Sequence, residues 1–237
     1  MSIPSNPREI IKQALKENRS KLLEHEAYAF IKYYGVPVPE VGLAKNPEEA
    51  GEIAEKIGYP IVLKIVSPDI THKSDVGGVI VGLNNREEVV KAARQILENV
   101  SRKAPNARIT GLLVQKMVPQ GLEVIVGGLR DGVFGAVVMF GLGGIFVEVL
   151  RDVSFRIAPI TEDDALEMIN EIRSHKLLEG YRGQPPIDKK AIAKIIVGVA
   201  NSLLENPEIE SIDLNPIMAF PHGATVADAR IIISAKK

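Results

Sequence analysis

Apolar positions recur at helical spacing over residues 10–23, behind an Asn6-Pro7 pair that suits a helix start, and a second helical stretch over 25–34 stops at Gly35. Val36-Pro-Val-Pro-Glu-Val-Gly-Leu reads as extended chain, because each proline pushes its predecessor out of the helical region. Asn46-Pro47 and Asn85-Arg86 open two further helices, the first closing near Gly58 and the second near Val100. Between them lie two strands, the nearly all-apolar 59–66, which carries one lysine, and 78–83. They are separated by a polar, glycine-bearing segment. After Ala104-Pro105-Asn106 the pattern changes. Apolar runs at 109–117, 122–127 and 133–140, with turns at Pro119-Gln-Gly and Arg130-Asp-Gly, predict an antiparallel meander, and a strand is expected at 145–150. Helices over 161–172 and 189–204 then precede a closing hairpin, 209–219 and 224–233, turning at Pro221-His-Gly. The fold class is α+β, organised as an N-terminal helical segment 1–22, a smaller mixed half 23–108, and a half with an antiparallel sheet at 109–237.

Composition narrows the function more than the fold. The 237 residues are 46% hydrophobic and 25% charged, with 29 basic against 30 acidic side chains and a net charge of -1, so bulk electrostatics do not direct the chain to nucleic acid. With no cysteine, disulfides, cysteine-bound zinc, iron–sulfur clusters and thiol nucleophiles are excluded. The polar N-terminus lacks a signal-peptide core. The uncharged stretch 132–147 is broken by five glycines and falls short of the roughly 20 residues a membrane helix needs. A cytoplasmic protein is expected. Aromatic residues make up only 5% and isoleucine appears 28 times, a composition suited to buried strands, while the absence of cysteine with many charged residues is weakly thermophilic in character.

Candidate chemistry is concentrated in four places. Lys64 lies inside an apolar strand, and a buried ammonium needs a carboxylate or another anion, since leaving it unpaired costs several kcal/mol; the alternative is an outward-facing lysine. The loop Asp69-Ile-Thr71-His72-Lys73-Ser74-Asp75-Val76-Gly77-Gly78 follows, where glycine N–H groups and Lys73 can approach phosphate, although it matches no standard phosphate-loop pattern and also fits a plain hairpin turn. His72 within it can be a surface residue, a base or a phosphoryl carrier. Gln115-Lys116-Met117-Val118, with Glu123 after it, presents a strand end whose backbone suits an adenine edge and an acid placed for ribose hydroxyls. In the last hairpin, strand alternation puts Asp213 and Asn215 on one face about 7 Å apart, with Asp228 on the partner strand, an oxygen set suited to Mg2+ beside phosphates or, alternatively, a polar outward face.

In this order the segments resemble the ATP-grasp superfamily, most closely the ATP-grasp (β) subunit of archaeal ADP-forming acetyl-CoA synthetases, relatives of succinyl-CoA synthetase. YPIVLKIVSPDITHKSDVGGVIVGL, LLVQKMVPQGLEVIVGGLRDGVFGAVVMFGLGGIFVEVLRDVSFRIAPI and ESIDLNPIMAF carry the resemblance, which spans about residues 23–233. It implies two lobes with the nucleotide bound between them. Lys64 would contact the phosphates, with Lys73, Gly77 and Gly78 forming part of a loop over them. Gln115, Lys116, Met117 and Val118 would form the adenine hinge, and Glu123 the ribose-side acid. Asn215 and Asp228 would hold Mg2+ with Asp213 nearby, and Glu148 and Arg151 would face the phosphates. His72 would be a phosphohistidine relay. Gln115 stands where succinyl-CoA synthetase has an acid, so the base preference of that enzyme is not carried over. Nothing resembles a CoA-binding domain, so the resemblance implies an α subunit holding the CoA-binding and phosphohistidine domains, in an α2β2 heterotetramer. ATP and ADP would be substrates and Mg2+ the cofactor. The rival expectations are a stand-alone ATP-grasp carboxylate ligase and a non-catalytic nucleotide-binding scaffold.

Overall fold

The computed structural model describes residues 6–144, 151–180, 183 and 185–234. The strand expected at 145–150 lies outside them. Contacts divide the chain into two compact units, a smaller one of Leu23–His25 and Pro39–Val118, and a larger one of Met1–Leu22, Glu26–Val38 and Pro119–Lys237.

The smaller unit is built on a four-stranded antiparallel sheet, β1 (Val41–Ala44), β4 (Gly111–Lys116), β2 (Ile61–Val66) and β3 (Val79–Leu83), in that spatial order. Helices α3 (Pro47–Ile57) and α4 (Arg86–Lys103) cover it. Each helix begins as its sequence requires. Asn46 and Asn85 accept from the N–H groups of Glu49 and Glu88, satisfying otherwise orphaned donors of the first turn. Ile61, Leu63 and Ile65 of β2, Leu112 and Val114 of β4, and Val89, Ala93 and Ile96 of α4 form the buried core between sheet and helices.

The larger unit contains a six-stranded sheet ordered β10 (Ala229–Ile233), β8 (Ile209–Ala219), β5 (Leu122–Asp131), β6 (Gly135–Leu142) and β7 (Val153–Ile157), with β9 (Ala224–Val226) paired to the other end of β8's outer edge. Helices α5 (Glu162–Glu171) and α6 (Lys189–Glu205) pack on it. Helix α1 (Pro7–Lys16) and all but the first two residues of α2 (Glu24–Tyr33) also belong to this unit.

Three sequence expectations change. The run at 109–117 is not part of a meander: β4 lies between β1 and β2, its Gly111–Lys116 paired with Val66–Ile61, and only β5 and β6 form the hairpin. A strand buried on both faces is apolar throughout, and that run carries no mark of which strands flank it. In consequence the change of unit falls after Val118, where the apolar pattern placed it at 108. The first helix ends at Lys16, not at 23. Asn18 adopts φ 53°, and Leu22 donates its N–H to Ile231 in a strand-like approach. The closing hairpin is interrupted at Ala227-Asp228, which separates β9 from β10. Strand β7, unforeseen, alternates around a charged residue, Arg156.

Candidate functional site

In the smaller unit, Lys64 sits mid-strand in β2 at 7% exposure, which removes the outward-facing alternative. Its counter-ion is Glu24, the first residue of α2. Glu24 Oε1 lies 2.5 Å from Lys64 Nζ, and Oε2 lies 2.6 Å from Lys73 Nζ. One buried carboxylate therefore binds two ammonium groups. The requirement for an anion was legible in the apolar run around Lys64; the identity of Glu24, 40 residues away in sequence, was not.

The 67–78 segment is anchored at several points. The Ser67 hydroxyl accepts from the N–H groups of Asp69 and Ile70. Asp69 holds Arg108 through two guanidinium nitrogens and its backbone N–H, and raises the already high pKa of the arginine. Lys103 Nζ donates to the Asp75 carbonyl at 2.8 Å, and Asn99 Nδ2 to the Gly77 carbonyl at 3.3 Å. Gly78 donates to the Lys73 carbonyl at 2.8 Å and accepts from Ile65 at 2.7 Å, so the loop folds back onto β2. Both glycines are sterically required. Gly77 takes φ 66°, where a Cβ would come 2.8 Å from Asn99 Nδ2, and a Cβ on Gly78 would lie 2.5 Å from Ile65 Cγ2. His72 is exposed, next to the tethered Lys73.

Gln115 is buried in β4 opposite Val62 and Val41. The N–H groups of Lys116 and Met117 donate to the carbonyls of Glu40 and Pro60, and Lys116 Nζ reaches the Tyr59 carbonyl at 2.5 Å.

In the larger unit, Glu123 stands exposed near the start of β5, against the 141–144 glycine segment. Its carbonyl accepts from Gly143, and a Cβ on Gly143 would approach the Glu123 Cβ to 2.9 Å. Asp213 and Asn215 project from the same face of β8, both exposed, as alternation required. Asp228 sits at the break between β9 and β10, and its carbonyl accepts from the Asn215 N–H at 3.2 Å, bringing the third predicted ligand beside the second. Arg151 is exposed with φ 49°, and Glu148 lies outside the described residues.

Two carboxylates and an amide oxygen are hard oxygen donors of the kind that suits Mg2+ when substrate phosphates and water complete its shell. Although Asp213 keeps an exposed edge, the protein packed around its carboxyl pushes that carboxyl above the usual carboxylate range, which Arg230, its cross-strand neighbour, only partly opposes. A cation beside it would favour its ionised form.

No helix among the described residues is long and apolar enough to cross a membrane. Residues 13–233 match the ATP-grasp domain family. The β subunit of ADP-forming acetate–CoA ligase I from Pyrococcus furiosus is 53% identical over 95% of this chain and 97% of its own length. The single-chain ADP-forming acetate–CoA ligase I of Archaeoglobus fulgidus is 46% identical, and this chain spans 34% of it. Among solved structures, acetyl-CoA synthetase 1 of Candidatus Korarchaeum cryptofilum, in complex with coenzyme A and Ca-AMPCP, superimposes with a TM-score of 0.94 at 53% identity, covering 97% of this chain and all of that one. The same enzyme with Mg-AMPPCP, its phosphohistidine segment pointing towards the nucleotide site, gives 0.86 at 49% with the same coverage. With its two antiparallel sheets and their helices, the chain belongs to the ATP-grasp domain family, among the β subunits of the ADP-forming acetate–CoA ligases.

Proposed function

We propose that this chain carries the nucleotide half of an ADP-forming acyl-CoA synthetase, passing a phosphoryl group from His72 to ADP. The supporting observation is the position of His72, exposed on an anchored loop whose next residue, Lys73, is tied through Glu24 to the buried Lys64. In the transfer the N–P bond of phosphohistidine breaks while a bond forms between phosphorus and a terminal oxygen of ADP, and the imidazole is released for another cycle. Lys64 and Lys73 lower the energy of the transferring group by electrostatic stabilisation of its oxygens. The 115–118 stretch holds the base, and Glu123 accepts from the ribose hydroxyls. Asp213, Asn215 and Asp228 would hold Mg2+, which supplies charge neutralisation on the phosphates. With an α subunit in an α2β2 assembly, the full reaction is acetyl-CoA + ADP + phosphate ⇌ acetate + ATP + CoA. The fused relative, about three times as long as its matching part, supports a partner chain supplying the CoA-binding chemistry. The P. furiosus relative, a β subunit matched over 97% of its length, weighs against a stand-alone carboxylate ligase.

The test combines the chain with its α subunit, acetyl-CoA and 32P-phosphate. Label reaches ADP only with both chains present, and an acid-labile label accumulates on this chain when ADP is withheld. His72→Asn removes that label and the transfer. Transfer at the wild-type rate in His72→Asn would refute the relay.

A further inference from the structure

We infer that Glu24 is a positioning residue for this phosphoryl transfer: it fixes the loop bearing His72 by holding Lys73 and Lys64 on one carboxylate. The inference rests on the phosphohistidine reading above and adds to it a residue from outside every predicted motif. The Glu24 side chain is 2% exposed, and those of Lys64 and Lys73 are 9% and 22%. Three charges have thus been drawn out of water around contacts of 2.5 and 2.6 Å. Such a cluster is a poor device for stability, since apolar side chains of similar volume generally serve folding as well or better. What it provides is geometry.

At Lys73 the N–H of Gly78 holds the main-chain carbonyl and Glu24 holds the side chain, while the other side-chain anchors described above act elsewhere. Ser67 and Asp69 secure its first residues, and Asn99 and Lys103 hold its far end at Gly77 and Asp75. Glu24 acts on the residue adjacent to His72. It also joins that residue to the strand lysine assigned to the phosphates, so the carrier imidazole and the phosphate-binding ammonium are referenced to one point. At rest the carboxylate neutralises one of the two positive charges. A nucleotide arriving at the lysines meets ammonium groups already ordered, and transfer between misplaced partners is slow: an error of about 1 Å can cost on the order of 100-fold.

Glu24→Gln keeps the shape of the side chain and removes its charge. In the assembled α/β enzyme, kcat for ATP formation should fall about tenfold or more, by the same geometric argument. KM for ADP should not rise, because removing one negative charge from beside the two ammonium groups leaves their attraction for phosphate at least as strong. Loss of kcat without a rise in KM separates positioning from general damage, which weakens both. His72 phosphorylation measured without ADP should slow in the same variant. A cycle of Glu24→Gln, Lys73→Gln and the double variant should show the double losing less than the sum of the two singles, since both changes cut the Glu24–Lys73 tether. Wild-type kcat in Glu24→Gln, a loss shared equally by KM, or additive losses in the cycle would each overturn the inference. If Glu24→Gln does not fold, Glu24→Asp decides: its carboxylate keeps the charge but falls a methylene short of spanning both lysines, so kcat must still drop, and wild-type kcat overturns the inference. The two readings fail separately. If His72→Asn keeps its label, the relay itself is wrong; if His72→Asn loses it while Glu24→Gln is fully active, only the role of Glu24 is wrong.

Discussion

Replacing Gly78 by alanine tests the packing that shapes the His72 loop. The added methyl would sit 2.5 Å from Ile65 Cγ2 and 3.0 Å from the Lys73 carbonyl oxygen. Neither neighbour can easily give way. Ile65 is fully buried in the core of the smaller unit, and the Lys73 carbonyl is held by the N–H of Gly78 itself. Gly78 cannot retreat freely either, because its own carbonyl accepts from Ile65 at 2.7 Å. Forcing one carbon into such a site costs about 1–3 kcal/mol. For a chain of this size each kcal/mol lowers Tm by roughly 2–4 °C, so a loss of about 4–8 °C is expected for a central value near 2 kcal/mol. Gly132→Ala is the control, since a Cβ there meets nothing within 4 Å, and it should stay within about 0.5 kcal/mol of the parent. Thermal unfolding of the two variants beside the parent, at one protein concentration, reads the difference. A Gly78→Ala protein that melts with Gly132→Ala would refute the close packing of the loop on β2.

Asp213→Asn should stabilise the chain at neutral pH. A carboxyl whose folded pKa is raised holds its proton more tightly folded than unfolded, so its ionised form weakens the fold above that pKa. The gain in Tm should vanish as pH falls below the ordinary carboxylate value near 4, and a gain that grows on acidification would contradict the assignment. Asp152 has the opposite sign. Burial pushes its carboxyl up, but the Ser174 hydroxyl and the N–H groups of Arg173 and Ser174 outweigh that and hold it below its usual range. Asp152→Asn should cost about 1–3 kcal/mol near pH 7 in chemical denaturation, a gap that closes as pH drops through the depressed pKa. Tyr34 accepts from Asn206 Nδ2 and donates to Glu205, and burial first, with Glu205 beside it, pushes its phenol up to about 12. Ultraviolet titration should find a late-ionising tyrosine that is absent in Tyr34→Phe and that ionises earlier in Glu205→Gln.

Local structure was legible wherever the local chemistry was sufficient. Asn46-Pro47 and Asn85 announced helices because a cap needs only residues within one turn. Alternation along Ile209–Ala219 placed Asp213 and Asn215 on one face because a strand has period two. The candidate chemistry at Lys64, His72 and the 115–118 stretch could be named from residue type and order alone, and membership of the ATP-grasp family followed from that order. Pairing was another matter. The 109–117 run declared a buried strand, yet only its register with Val66–Ile61 and Val41–Ala44 decided which sheet it joined. Lys64 declared its need for an anion, yet only the folded chain brings Glu24 to it and shares that carboxylate with Lys73. The reason is the same in both cases. Capping and periodicity are set by neighbours along the chain, whereas strand partners and counter-ions are set by neighbours in space, and for the residues that hold His72 in place those are tens of positions apart.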